Sequence, residues 1–120
     1  MSTHSESQRY LALNSKYLAE GEGLLKKGDY VQASEKFWGA AAEIVKAAAA
    51  RRGVVVRAHR SISEFVSKLD EERPDLELAL LFHVANSLHT NFYEDWFDAK
   101  MVVKGAEAVR TFVERMKEFL

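Results

Sequence analysis

From Ser7 onward the apolar residues recur at helical rather than alternating spacing. Tyr10, Tyr17 and Leu24 form one seven-residue row, and Leu11, Leu18 and Leu25 the row beside it, with Leu13 adjacent. Two adjacent apolar rows make an amphipathic helix that packs along a neighbour. Lys26 and Lys27 complement the dipole at its end, and Gly28 stops it. The next run opens with Asp29 as N-cap, has Gln32 in the box position, and continues through alanines to Arg51, Arg52 and the stop Gly53. That is about six turns. Gln32, Lys36, Glu43 and Lys46 fall on one narrow polar stripe, while Tyr30, Ala33, Phe37, Trp38, Ala40, Ala41, Ile44, Val45 and Ala48 cover the rest. A helix apolar around most of its circumference is enclosed on several sides, so this one is expected to be the hub of a bundle. The short Lys27-Gly28-Asp29 connection sets the first two helices antiparallel.

Val54-Val55-Val56 has the β-branched character of a strand but no partner strand elsewhere, and reads as an extended connector. A third helix is expected to be capped by Ser61 with Glu64 in the box position, and to face inward with Ile62, Phe65, Val66 and Leu69. After the charged loop Asp70–Arg73, Pro74 suits the first turn of a fourth helix, from Asp75 to about Thr90. Leu78, Leu81, Val84, Ala85 and Leu88 share its apolar face, with His89 at the edge, seven residues after Phe82. Ala79, His83, Asn86, Ser87 and Thr90 make a small, polar stripe opposite, of the kind that lets two subunits approach closely. Asn91–Phe97 is an aromatic and acidic corner. The fifth helix runs from about Asp98 to the end with Met101, Gly105, Ala108, Phe112, Met116 and Phe119 inward, Gly105 marking close helix approach. The expected architecture is all-α: an antiparallel up-and-down bundle of about five helices over 7–120, preceded by a flexible tail over 1–6.

A chain of 120 residues is one domain, long enough to bury a core without staples. The absence of Cys removes thiol catalysis and thiolate metal sites together. A net charge of −1 gives no global attraction to nucleic acid or to an anionic membrane, so only a local basic patch would serve. The polar Met1–Gln8 is not a signal peptide, and no apolar run reaches the ~18–20 residues of a membrane span. A cytoplasmic location without a membrane partner is expected.

Gly28-Asp29-Tyr30, Ala33, Phe37 and Ala40, with Gly21, are spaced as in a tetratricopeptide repeat, but only one unit matches where stacking needs about three. A closer resemblance rests on two segments. Gly28-Asp29-x-Val31-Gln32-Ala33-Ser34-Glu35-Lys36, followed by the alanine-rich helix, and Leu88-His89-Thr90-Asn91-Phe92-Tyr93-Glu94 look like the two signatures of the PaREP family of small archaeal proteins. With the intervening helices the resemblance runs from about Tyr10 to near the end. That family is similar to the HEPN superfamily of antiparallel four- or five-helix domains. The resemblance implies a HEPN-like fold and a homodimer or higher homo-oligomer. Many members of that superfamily are ribonucleases or partners of nucleotidyltransferases in toxin–antitoxin pairs, and the resemblance leaves the activity open.

RNA cleavage of the HEPN type uses an Arg and a His separated by four to six residues. Acid–base catalysis needs an imidazole at the reacting oxygen, and the phosphorane needs a cation. Arg52 and His59 alone have that separation here, and Gly53 with the valines keeps them off a shared helix face. His83 and His89 have no Arg at that distance upstream. His59, His89 and Arg52 are therefore the catalytic candidates of a metal-independent RNA endonuclease, a toxin-like alternative to the favoured reading. Arg51, Arg52, Arg57, His59 and Arg60 cluster around the connector, either gripping the phosphate of a nucleotide or RNA or pairing with Glu71, Glu72 and their neighbours. Tyr93, Trp96 and Trp38 offer rings to a base, or close the bundle. His89 is expected to hydrogen-bond a backbone carbonyl or Tyr93. His83 and His89 point about 120° apart, so with Asp95 they make no metal site. No metal and no cofactor are expected. The favoured expectation is a non-catalytic HEPN-like module that dimerises and binds a partner protein or a nucleotide.

Overall fold

The computed structural model describes residues 3–120, which form five α-helices and no strand. These are α1 (Thr3–Lys27), α2 (Tyr30–Arg51), α3 (His59–Glu72), α4 (Leu78–Glu94) and α5 (Ala99–Met116), with 3₁₀ turns at Pro74–Leu76 and Lys117–Phe119. The expected tail is helical from Thr3, four residues ahead of the expected start at Ser7, while Met1 and Ser2 lie outside the described residues. One reason is that Ser7 is buried and donates its hydroxyl to the Ala47 carbonyl at 3.0 Å, tying the first turns of α1 to the end of α2.

α2 is the hub. Fourteen of its 22 residues are buried, and it packs against each of the other four helices. Asp29 caps it by accepting from the Gln32 N–H. Gly28 and Gly53 take positive φ at the C-terminal ends of α1 and α2. Each presents the paired backbone bonds that close a helix in a left-handed residue: Gly28 and Asp29 donate to Leu25 and Leu24, Gly53 and Val54 to Ala50 and Ala49. Asn14 is buried and donates to the Ala40 carbonyl at 2.7 Å, a second tie between α1 and α2. Small residues bring partners close. A Cβ at Gly21 would stand 2.8 Å from the Phe37 ring, and one at Gly105 2.6 Å from Leu88 Cδ2.

Four boundaries differ from the pattern read along the chain. α3 starts at His59, and Ser61 sits inside its first turn, accepting from the Arg57 N–H and donating to the Ala58 carbonyl instead of capping. α4 starts at Leu78, because Pro74–Leu76 forms its own 3₁₀ turn and Glu77 takes a left-handed conformation at φ 52°. The first turn of α4 is then closed by Asp70, whose carboxylate accepts from the Ala79 N–H. The corner expected over 91–97 is helical through Glu94, and the chain turns at Asp95, φ 50°. α5 ends at Met116, and its buried row is Val102, Gly105, Ala106, Val109, Phe112, Val113 and Met116, leaving Met101 half exposed. On α4, Phe82 stands in the buried face and Leu81 and Val84 at its margins. Val54–Val56 is the extended connector expected, without regular structure.

Candidate functional site

One corner of the bundle gathers most of the chain's unusual rings. Trp38, in the middle of α2, is buried to 7% exposure and reaches outward from the core pair Phe82 and Phe112. The His59 ring, from the first residue of α3, stacks flat on it at 4.7 Å with an interplanar angle of 6°. The His89 ring of α4 lies 5.2 Å from Trp38 and 5.1 Å from His59. Tyr93, one turn further along α4 and 69% exposed, meets His89 edge-on at 5.3 Å. Aromatic contacts of this spacing add to the area they bury. The result is a continuous ladder of rings from Phe112 in the core to Tyr93 in solvent.

Two hydrogen bonds fix the imidazoles. His89 Nδ1 donates to Glu35 Oε1 at 2.8 Å, since an ionised carboxylate only accepts. His59 Nε2 donates to Asn86 Oδ1 at 2.7 Å. In the neutral forms this leaves the lone pairs on His89 Nε2 and His59 Nδ1, so each ring retains one nitrogen able to accept a proton or a hydrogen bond. Chemically the corner offers planar faces for stacking and two imidazole nitrogens for polar recognition or proton transfer. Glu35 stands three residues before Trp38, on the same side of α2, which was the available sign of its part in the site.

The arginines expected beside these histidines are elsewhere. Arg52 makes a bidentate pair with Glu72, both bonds 2.7 Å, and lies over the Phe65 and Phe119 rings. That hydrogen bonding holds the Glu72 carboxylate below the usual range and the guanidinium above its own. Arg60 pairs with Glu64 one turn on, and Arg51 meets His4 Nδ1 at 3.1 Å. Arg57 is exposed and makes no ion pair among the described residues. The basic run of the sequence is thus dispersed over the surface, with Glu72 and Glu64 taking two of its members. Trp96, expected as a stacking ring, is 64% exposed beyond the end of α4 and makes no ring contact among the described residues. Among them, too, no three His, Asp or Glu side chains gather closely enough to hold a metal ion.

Within the corner expected over Asn91–Phe97, Asn91 ties α4 to α2 and to the following turn. At 1% exposure its Oδ1 accepts from the Trp96 and Phe97 N–H groups, and its Nδ2 donates to Ser34 Oγ on α2. Ser34 in turn donates to the Tyr30 carbonyl. This chain of bonds sets the height of Tyr93 and His89 against Trp38.

Three hollows adjoin the region. One of about 260 Å³ lies between α3 and α4 and includes His59, Phe82, His83 and Asn86. Another, about 400 Å³, runs past Glu35, Trp38 and Phe92 along the polar stripe of α2. The third, about 520 Å³, is an apolar groove between α4 and α5 that includes His83, Ser87, Met101 and Gly105. No described helix is long and apolar enough to cross a membrane.

The model of the archaeal PaREP1/PaREP8 family matches residues 9–113. A crystal structure of a protein from Sulfolobus solfataricus is similar to this chain with a TM-score of 0.79 and 26% sequence identity, over 89% of this chain and 95% of that one. No curated protein matches the sequence.

Proposed function

The chain belongs to the archaeal PaREP1/PaREP8 family, and from that premise we propose that it is a non-catalytic, HEPN-like helical module that dimerises and binds a nucleotide at the His59–His89 corner. The observation that carries this reading is the composition of the corner. Trp38, His59, His89 and Tyr93 meet ring to ring, and no guanidinium or ammonium group is among their ring contacts or hydrogen bonds in the described residues. Stacking faces and imidazole nitrogens suit a base, because base–aromatic stacking contributes about 1–3 kcal/mol per base without any charge. Cleavage of a phosphodiester asks in addition for a cation to stabilise the phosphorane, and Arg52 is spent on Glu72. The apolar groove between α4 and α5, beside His83 and Ser87 of the small polar stripe, supports a second copy as the dimer partner.

A second reading draws on the same rings. His89 backed by Glu35, with His59 at 5.1 Å, is an arrangement in which one imidazole takes a proton and the other gives one, as in a metal-independent RNA endonuclease. The two readings separate in a single assay. Single-stranded RNA incubated with the protein in EDTA is expected to stay at full length. Shortening that persists in EDTA and disappears in His59→Ala or His89→Ala would establish the endonuclease instead. A binding partner of the nucleotidyltransferase class would show as a stable complex insensitive to both substitutions.

A further inference from the structure

The α3/α4 hollow differs from its two neighbours in kind. The one along α2 presents Glu35, Lys36, Glu43 and Lys46, four charged groups. The groove between α4 and α5 is lined almost wholly by apolar surface. No Asp, Glu, Lys or Arg lines the hollow between α3 and α4, in a chain where 29% of residues are charged. Phe82 and Val66, both buried, supply its apolar floor. Around the floor stand polar groups with bonding capacity left over. Asn86 spends its Oδ1 on His59, and its Nδ2 has no partner among the described residues. The Ser63 and Ser67 hydroxyls and the His83 ring likewise make no hydrogen bond there. Small-molecule sites have this make-up: a concave apolar surface with a few polar groups that fix orientation. At about 260 Å³ the space sits just below the range of about 300–1,000 Å³ typical of drug-sized ligands. His59 belongs both to this hollow and to the ring ladder, so one face of the site continues into the other.

We infer that the α3/α4 hollow takes an uncharged nitrogen heterocycle of the nucleobase class, recognised at its edge by Asn86 and the Ser63 and Ser67 hydroxyls, with the sugar and phosphate left in solvent. This rests on the nucleotide-binding reading above and gives it a direction. Affinity comes from the base, and the phosphate adds little: the first turns of α3 and α4 border the hollow through His59 and Ala79, but no Lys or Arg lines it to hold an anion. An amide donor and two hydroxyls match the mixed donor and acceptor edge of a base.

The test is an amide chemical-shift titration of the full chain with adenosine, guanosine, cytidine and uridine in turn, then with each 5′-monophosphate and with inorganic phosphate. At least one nucleoside is expected to give saturable shifts at Ser63, Ser67 and His83. Its monophosphate should bind within about threefold of it, and inorganic phosphate should shift none of the three. Asn86→Ala is expected to weaken binding about tenfold, the loss of one hydrogen bond to the edge of the base. Ser67→Trp, at an exposed position, should fill the hollow and abolish binding while leaving the unfolding midpoint unchanged. Shifts confined to Glu35 and Tyr93 would overturn the hollow as the base site and leave the ring-corner reading standing. No saturable shift anywhere up to about 10 mM would overturn both. Competition by inorganic phosphate, or undiminished binding by Ser67→Trp, would overturn the assignment to an uncharged base.

Discussion

Asn91 shows how much of the corner depends on a single amide. Its three hydrogen bonds run to Ser34 and to the backbone of Trp96 and Phe97, at 3.0, 3.0 and 2.8 Å. A hydroxyl or N–H left without its partner in a buried place costs about 1–3 kcal/mol. Asn91→Ala is therefore expected to lower stability by about 2–3 kcal/mol in urea unfolding. It should also release Tyr93, seen as loss of its edge contact to His89 in ring proton shifts. Asn91→Asp keeps the acceptor and loses the donor, so it should cost less at the Trp96 and Phe97 amides than at Ser34. Little of this was legible along the chain. Asn91 and Ser34 are 57 positions apart, as His89 and Glu35 are 54 apart. Spacing along one helix predicts which residues share a face, and it says nothing about which residue of another helix stands opposite. His89 could thus be placed at the edge of the apolar face, but its partner could not, and the expected carbonyl or Tyr93 gave way to Glu35. For Arg52, the outcome was open between phosphate and carboxylate. In the structure it pairs with Glu72, at the far end of α3.

At the scale of elements, the glycines separate into places where a side chain has room and places where it has none. Gly105 of α5 lies under Leu88, whose side chain is fully buried, so a Cβ there meets Cδ2 at 2.6 Å. Gly23 of α1 has nothing within 4 Å of the same position. Both sit inside helices, where Ala is favoured over Gly by about 1 kcal/mol. Gly23→Ala is expected to raise stability by about 0.5–1 kcal/mol, and Gly105→Val to lower it by about 1–3 kcal/mol, measured side by side in thermal or urea unfolding. Helix identity was read well from periodicity, because amphipathic runs of this length admit one explanation. Helix boundaries were read less well. Ser61 has the chemistry of a cap and lies two residues inside α3, and Pro74 opens a 3₁₀ turn rather than α4. The left-handed Glu77 that separates that turn from α4 carries no mark in the sequence, since Glu seldom takes this conformation. α4 finds its first-turn acceptor nine residues back, at Asp70.

For the whole molecule, the hub predicted from α2 alone holds the rest in place: α1 along one side, α3, α4 and α5 around the others. That the bundle is all-helical follows from hydrophobic spacing. That Trp38 should become the seat of two imidazoles does not, because it depends on where α3 starts after the extended connector and on where α4 ends. A connector that delivers His59 at the first residue of α3 brings it flat onto Trp38, while Arg52, on the other side of the connector, swings toward Phe65, Phe119 and Glu72. The same short segment thus sends the Arg52 and His59 side chains to different partners, Glu72 and Trp38. The rings thus lie on one side of the connector and the Arg52 cation on the other.

The most direct measurement is tryptophan fluorescence of the full chain in the Trp96→Phe background, where Trp38 alone reports, during titration with nucleoside monophosphates in EDTA. A saturable change in Trp38 emission that is lost in His59→Ala, with the nucleotide recovered intact, is the predicted result. No change in Trp38 emission at any nucleotide concentration, in a protein whose unfolding is otherwise normal, would contradict it.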